Sequence, residues 1–448
     1  VSVPEGFVFF NSLYLHPVLI RDNCRNIIDY LIKGQDINPR MLPSDDFELL
    51  SRSKIVTTAE EDMLVHDRLG RFIRPPQINA ACFIVSERCN MRCSYCLADE
   101  SFCDNINGNV MSEDVAIRGL DFFMRTYHRS GYKIAPSITI YGGEPLISFD
   151  VIQVLIERIS ESIKRLELPE DTTVNINTNG TLLTEDMASF FRDHNVFISI
   201  SLDGGSRCNS PRVYVDGRDT YEDVLKAVDI CRRAGCSFGI SSTVTEDVLS
   251  NKEEYLDQME SICPSRVGLN PMLSNGCMES GYPERLSEFV LSVVPRLMGM
   301  GIIEDRTAEK MYALSNHIVR SHDCYAVRGC QITITPSGKV GTCHGMLDLD
   351  EFYVSTVDDD LDPESDPVLR RWTTRSPLLM EVCQKCPALA VCGGGCPMNA
   401  LRIKGDLFEL DDSCCVLSKS LVDWYMRDNV GSFDVIDSDL LGDDNEPV

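Results

Sequence analysis

Positive charge is scarce in this chain: 42 Lys and Arg stand against 69 Asp and Glu among 448 residues, a formal net charge of −27. Binding to phosphate needs a basic surface that releases counterions, so the balance disfavours nucleic acid and fits solubility and basic partners. No uninterrupted apolar run reaches membrane-spanning length, and Val1 to Phe10 lacks the basic n-region and cleavage site of a secretion signal. A cytoplasmic globular protein, with no membrane partner, is the expectation for a chain that is 43% apolar. Repeats and low-complexity tracts are also missing, and the length predicts two or three domains.

Cysteine is what the chain has in excess. Twenty cysteines in a small secreted protein would suggest a disulfide scaffold, but in a large chain without a signal they suggest metal ligation. Three of them, Cys89, Cys93 and Cys96, stand at CxxxCxxC spacing directly after the apolar run Ala80 to Val85, with Tyr95 before the last. A strand ending in such a loop can curl three soft thiolates around one corner of an iron–sulfur cube and leave one iron open. The alternative is a fragment of a zinc site, which normally asks for four ligands in CxxC pairs.

Downstream, strand and helix patterns alternate. Apolar runs predict strands at Cys82 to Ser86, Ile138 to Tyr141, Val174 to Thr178, Phe197 to Leu202, Phe238 to Val244 and Val267 to Asn270. Helical periodicity falls at 112–129, 150–166, 184–194, 220–234, 251–261 and 283–299. Such alternation implies a parallel sheet wrapped by helices, with too few units for a closed eight-stranded barrel and with its chemistry at the C-terminal strand ends. Notable residues fall at those ends. Tyr141-Gly142-Gly143-Glu144-Pro145 joins backbone that can approach a ligand to a carboxylate and a stiff turn. Asn179 ends the third strand, and Ser201 and Asp203 end the fourth, with Arg212 beyond. Ordinary turn and capping roles stay open for Asn179 and Asp203.

From Cys324 onward the cysteines run Cys324, Cys330, Cys343, then Cys383, Cys386, Cys392, Cys396, then Cys414 and Cys415. Ile332 to Thr335 and Lys339 to Thr342 predict a hairpin around Pro336-Ser337-Gly338. A zinc ribbon is the competing account of the CxxC and CxxxC pairs. Gly393-Gly394-Gly395 lets the backbone fold closely between thiols. The other cysteines, Cys24, Cys82, Cys103, Cys208, Cys231, Cys236, Cys263, Cys277 and Cys415, read as buried small apolar residues.

Together CxxxCxxC, Gly142 to Pro145 and the late cysteines resemble the radical SAM superfamily with a C-terminal SPASM domain, over roughly residues 80–427. The resemblance implies a partial (β/α)6 barrel in an α/β fold, S-adenosylmethionine as cofactor, and a radical SAM 4Fe–4S cluster on Cys89, Cys93 and Cys96. It implies SAM contacts from Tyr95, Gly142, Gly143, Glu144 (to the methionyl amine), Pro145, Asn179, Ser201, Asp203 and Arg212 (to the carboxylate). Two auxiliary 4Fe–4S clusters are implied as well, one on Cys324, Cys330, Cys343 and Cys396 and one on Cys383, Cys386, Cys392 and Cys414; the alternatives are Cys415 as the last ligand, and one of Cys324 and Cys330 free, which leaves an iron open for a substrate sulfur.

The domain plan is then a small α+β module at 1–75, the barrel at 76–305, a linker helix and SPASM region at 306–427, and an acidic tail at 428–448 expected to be partly disordered. In the first module, strands are expected at Phe7 to Phe10, Leu13 to Leu15, Val18 to Ile20 and Lys54 to Thr57, and helices at 22–33 and 44–50. This layout is compatible with the winged-helix domain that binds leader peptides by strand addition, or with a plain extension of the barrel.

By resemblance the chain is a maturase of a ribosomally made precursor peptide, leader plus core, that installs a thioether or carbon–carbon crosslink, with a flavodoxin or ferredoxin as electron donor. An anaerobic sulfatase maturase is the second expectation, weakened by the 88 residues before Cys89 and by His344 after Cys343, where those enzymes place Asp. His344 reads as a surface histidine or a proton acceptor. An iron–sulfur electron-transfer or scaffold protein is a third reading, from a different class, and Gly142 to Pro145 argues against it.

Overall fold

The structure, a computed structural model, describes residues 1–62, 69–98, 107–131, 134–272 and 280–440. Its first module begins with β1 (Ser2–Val3), β2 (Gly6–Phe9) and β3 (Val18–Arg21), an antiparallel sheet backed by helices Arg25–Lys33 and Ser44–Arg52. Two expected strands are absent: Leu13 to Leu15 lies in a turn and connecting stretch, and Lys54 to Thr57 follows the second helix as a turn. Both are short apolar runs without a neighbouring strand to complete their hydrogen bonds, so periodicity alone misled.

The main sheet runs through β4 (Ala80–Ser86), β5 (Ser137–Gly142), β6 (Thr173–Thr178), β7 (Val196–Ser201), β8 (Phe238–Val244), β9 (Arg266–Pro271) and the short β10 (Ile303–Glu304), each parallel to the next. Helices Glu113–Ser130, Phe149–Lys164, Glu185–Asp193, Tyr221–Ala234, Lys252–Ile262 and Tyr282–Gly299 supply the crossovers, all at their expected places. Their starts follow from caps: Ser112 and Thr184 accept the amides of Val115 and Met187 at 3.2 and 3.3 Å.

Alternation along the strands decides what faces where. Ile138, Ile140, Ile176, Ile198 and Ile200 are fully buried in the main core, each contributing about 1.5–3 kcal/mol through burial. Their neighbours Tyr141, Asn177, Ser199, Ser201 and Thr243 line cavities inside the curved sheet. A period of two thus sorts core from site.

Beyond the barrel, helix Asp305–Ser315 leads to β11 (Gln331–Ile334), β12 (Lys339–Gly341) and β13 (Tyr353–Thr356). The expected hairpin is β11 and β12, and it belongs to the barrel sheet: β11 pairs in parallel with β4, from Gln331↔Ala80 to Ile334↔Phe83. β4 is consequently buried along its whole length. The last helix, Asp412–Asp428, packs on Tyr282–Gly299.

The described part of the acidic tail packs against the first module. β14 (Asp434–Ile436) pairs in parallel with β3, Ile436 is fully buried, and Asp439 accepts the Ile27 amide at 3.1 Å at the start of the first helix. Arg21 and Arg52 pair with Asp437 and Asp434 at 2.7 and 2.9 Å, so the acidic charges have partners. β14 takes the sheet edge beside β3. Residues 441–448 lie outside the described residues, as do Cys103 and Cys277. Among the described residues no helix is long and apolar enough to cross a membrane.

Candidate active site

Gly142 fixes the site's frame. A Cβ there would lie 2.2 Å from the Ser86 carbonyl oxygen, so only glycine lets the end of β5 close onto the end of β4. The amides of Gly143 and Glu144 then donate to Ser86 and Arg88 carbonyls at 2.8 Å, which ties this turn to the loop entering Cys89. That loop is held on its other side by the segment after Asp203: Arg92 donates to Val213 at 2.8 Å and Ser94 to Pro211 at 3.2 Å. Met91, 2% exposed, anchors it in the core. The three thiols are therefore carried on a braced loop.

Cys89, Cys93 and Cys96 open onto one cavity of about 390 Å³, which Tyr95, Gly142, Gly143, Asn179, Ser201 and Arg212 also line. Burial, with Arg212 pulling the other way, pushes the Cys93 thiol up to about 11. Tyr95 links three elements. Its hydroxyl donates to the Asp203 carboxylate and accepts from Arg212 Nη1 at 2.9 Å. Asp203 is fully buried and also accepts the Thr243 amide at 2.8 Å. Burial raises its carboxyl pKa, against the pull of Arg212 and Tyr95.

Glu144 does not line this cavity. It is fully buried, and its carboxylate accepts the Thr178 hydroxyl at 2.6 Å, the Asn179 amide at 2.7 Å and the Leu146 amide at 3.0 Å. Through these bonds it brackets β5 to the end of β6. Pro145 is likewise buried and opens the short turn after it. Asn179 does face the cavity, donating to Asn90 at 2.9 Å and accepting from the Thr181 amide and hydroxyl at 2.9 and 2.7 Å. Asn90, missed from sequence, donates in turn to Thr181 at 2.8 Å, and its signal was its place between the first two thiols.

The donor set suits an iron–sulfur cluster with a nucleoside sulfonium beside it: three thiols on one wall, glycine backbone on another, and a buried guanidinium. Arg212 is 7% exposed, and its Nε is buried with no hydrogen-bond partner in the protein. An orphaned cationic donor beside a cavity is costly unless a carboxylate completes it. Among the described residues no three Cys, His, Asp or Glu side chains form a group that could hold a single metal ion.

The late cysteines form two neighbourhoods. Cys343 and Cys396 pack in one apolar cluster, and burial raises both thiols, that of Cys396 to about 12; the charge of Cys396 adds to the rise at Cys343 and that of Asp411 to the rise at Cys396, with Cys324 acting on each. Cys330 is buried at the start of β11, where burial raises its thiol to about 11 and Arg328, Arg74 and Cys324 are the charges acting on it. In the second neighbourhood Cys392 and Cys414 stand 3.8 Å apart, sulfur to sulfur, with Cys383 and Cys386 in the same cluster and Cys415 close enough to feel all but Cys414. Gly393, Gly394 and Gly395 all have positive φ, and Cβ atoms on Gly393 and Gly395 would meet Asp323 and Cys414 at 2.5 and 2.7 Å. Fully buried Arg375 holds this turn, donating to the Gly394 and Gly395 carbonyls at 2.7 and 3.1 Å; nothing in the sequence marked it.

Cys396 and Cys414 also line the central cavity, which thus touches both thiol regions. His344 lines it too, its ring 4.9 Å from that of Tyr141 and its buried Nδ1 without a partner, so the surface assignment is corrected. Burial lowers its pKa to about 4. Of the cysteines read as apolar filler, Cys24, Cys82, Cys208 and Cys231 are buried, Cys236 and Cys415 half-buried, and Cys263 exposed at a left-handed helix end.

Residues 83–257 match the family model of the Radical SAM superfamily. The chain is similar to the radical SAM cyclopropyl synthase TigE of Paramaledivibacter caminithermalis, 23% identical over 368 residues covering 79% of this chain and 75% of that protein. It is also similar to the serine-type anaerobic sulfatase-maturating enzyme of Klebsiella aerogenes, 22% identical over 333 residues covering 70% and 78%. Among solved structures, native anSMEcpe with bound AdoMet and Cp18Cys peptide shares the fold with a TM-score of 0.65 at 18% identity, over 79% of this chain and 98% of that one.

Proposed function

We propose, from the premise that residues 83–257 are a Radical SAM domain, that this enzyme is a peptide maturase installing a thioether or carbon–carbon crosslink in a ribosomally made precursor. The observation that carries the reading is the single cavity bounded by Cys89, Cys93 and Cys96 on one side and by Cys396 and Cys414 on the other. Cysteines 89, 93 and 96 would hold the cluster that, with SAM bound, supplies a 5′-deoxyadenosyl radical. The chain's own residues position and shield. Arg212 offers its unpaired Nε to a carboxylate, Tyr95 and Asp203 fix the guanidinium, and the Gly142 and Gly143 backbone leaves room for a ligand. The two late thiol neighbourhoods would hold auxiliary clusters, whose chemistry would be to accept the electron released when the crosslink forms, and a flavodoxin- or ferredoxin-type protein would donate the electron that cleaves SAM. Likeness to a sulfatase-maturating enzyme, and to a fold solved with a peptide, supports a polypeptide substrate.

Sulfatase maturation is the second reading, favoured by the Klebsiella relative. His344 at the cavity wall weighs against it, because its buried, low-pKa imidazole replaces the expected Asp. Anaerobic reconstitution with dithionite and SAM should release 5′-deoxyadenosine, and a short peptide encoded beside this gene should lose two hydrogens by mass spectrometry. Conversion of a sulfatase Cys or Ser to formylglycine, with the peptide unchanged, would replace the first reading by the second. No nucleoside release would sink both.

The N-terminal module is proposed to recognise the leader. Since β14 already covers the edge beside β3, a leader strand would add at β14 or at β1, or displace β14.

A further inference from the structure

We propose that Lys310 sets the reduction potential of the auxiliary cluster on Cys383, Cys386, Cys392 and Cys414 by holding a permanent positive charge against the Cys414 sulfur. The inference rests on the auxiliary-cluster reading above.

Lysine is almost never fully buried unless paired, and here the helix Asp305–Ser315 carries Lys310 inward until its side chain is 4% exposed. An ammonium has three protons to donate. Three acceptors meet it: Asp323 Oδ1 at 2.7 Å, the Cys392 carbonyl at 2.9 Å and the Cys414 sulfur at 4.0 Å. The last two belong to residues whose sulfurs lie 3.8 Å apart. Asp323 Oδ1 is shared with Arg320 at 3.4 Å. The left-handed Gly393 fits against the Asp323 backbone, where a Cβ would come within 2.5 Å of its amide nitrogen, so the glycine turn and the ion pair are built as one unit.

Reduction adds a negative charge to a cluster and its thiolates. A cation touching a ligand sulfur in a poorly solvated place stabilises the reduced state and raises the potential, whereas the carboxylate behind it acts with the opposite sign. Lys310 is thus a positioning charge rather than a ligand. Arg320 and Arg306 lie further out, each reaching toward a carboxylate or amide oxygen, so the contact with sulfur falls to Lys310.

The test is an EPR-monitored redox titration of the full chain carrying Cys89→Ala, Cys93→Ala and Cys96→Ala, in which the remaining signals come from the late thiols. Lys310→Met should lower the midpoint of one signal, Asp323→Asn should raise that same midpoint, and Lys310→Arg should leave it near the parent value. A purely structural ion pair gives no reason for its two members to act with opposite signs. Shifts in the same direction, or none, overturn the proposal. Should Lys310→Met take up less iron, the rise with Asp323→Asn and the retention with Lys310→Arg still decide. A parent chain with no auxiliary signal at all would overturn the cluster reading and this one with it, and is recognised because there is then no midpoint to shift.

Discussion

The Tyr95 hydroxyl donates to the carboxylate of Asp203, 108 residues further along the chain, so the thiol loop and the segment beyond β7 are held by one buried contact. Removing the donor leaves a fully buried carboxylate with fewer partners. A hydrogen bond to a charged group is worth about 1.5–3 kcal/mol. Tyr95→Phe should therefore lower the melting temperature of the cluster-free chain by several degrees and weaken SAM binding, since Arg212 loses its acceptor at 2.9 Å. Calorimetry with and without SAM reads both.

Glu144 offers a sharper choice between bracket and ligand. Its oxygens accept three bonds from Thr178, Asn179 and Leu146. Glutamine in its place turns an amide donor toward at least one of these donors, a loss of about 1–3 kcal/mol. Glu144→Gln should thus destabilise the chain even without SAM. An unchanged melting temperature with abolished SAM binding would restore the ligand role.

For the first thiol set, replacing Cys89, Cys93 or Cys96 by Ala should abolish 5′-deoxyadenosine release and lower iron content by about four per chain, one cubane's worth. Absorbance and EPR from the late thiols should persist.

His322 predicts an acid sensitivity. It is 1% exposed; its Nε2–H donates to the Thr373 carbonyl at 2.8 Å, and its Nδ1 accepts the Ser321 hydroxyl at 3.0 Å, so the ring is neutral in the fold. Burial lowers its pKa from 6.5 to about 4. A depressed histidine pKa means that the unfolded state takes up the proton first as pH falls. Stability is full above pH 6.5, falls between there and pH 4, and levels below, a loss of about 3 kcal/mol. His322→Gln should flatten melting temperature against pH across that window.

Much of this architecture was legible beforehand because its cause is local. The crossover helices repeat apolar residues at helical spacing, two of them begin at the Ser112 and Thr184 caps, and β5 to β7 alternate so regularly that one face had to be core. The thiols were legible by spacing. What sequence concealed depends on distant partners. The acidic Asp434 to Asp439 stretch looks unable to pack until Arg21, Arg52 and a helix start supply its countercharges. The bonds of Glu144 to Thr178 and Asn179 join residues 34 and 35 positions apart. Arg375 is one arginine among many until Gly394 and Gly395 leave carbonyls pointing at it.

The ladder between β4 and β11 carries a consequence for how the two thiol regions are spaced. One end of that strand pair leads into Cys89, and the hairpin that β11 begins leads into Cys343. Two neighbouring strands hydrogen-bonded in register act as a ruler, so the separation of those two loops is set when the sheet forms, and an enzyme of the proposed kind would inherit from it a fixed tunnelling distance between its first redox centre and the next.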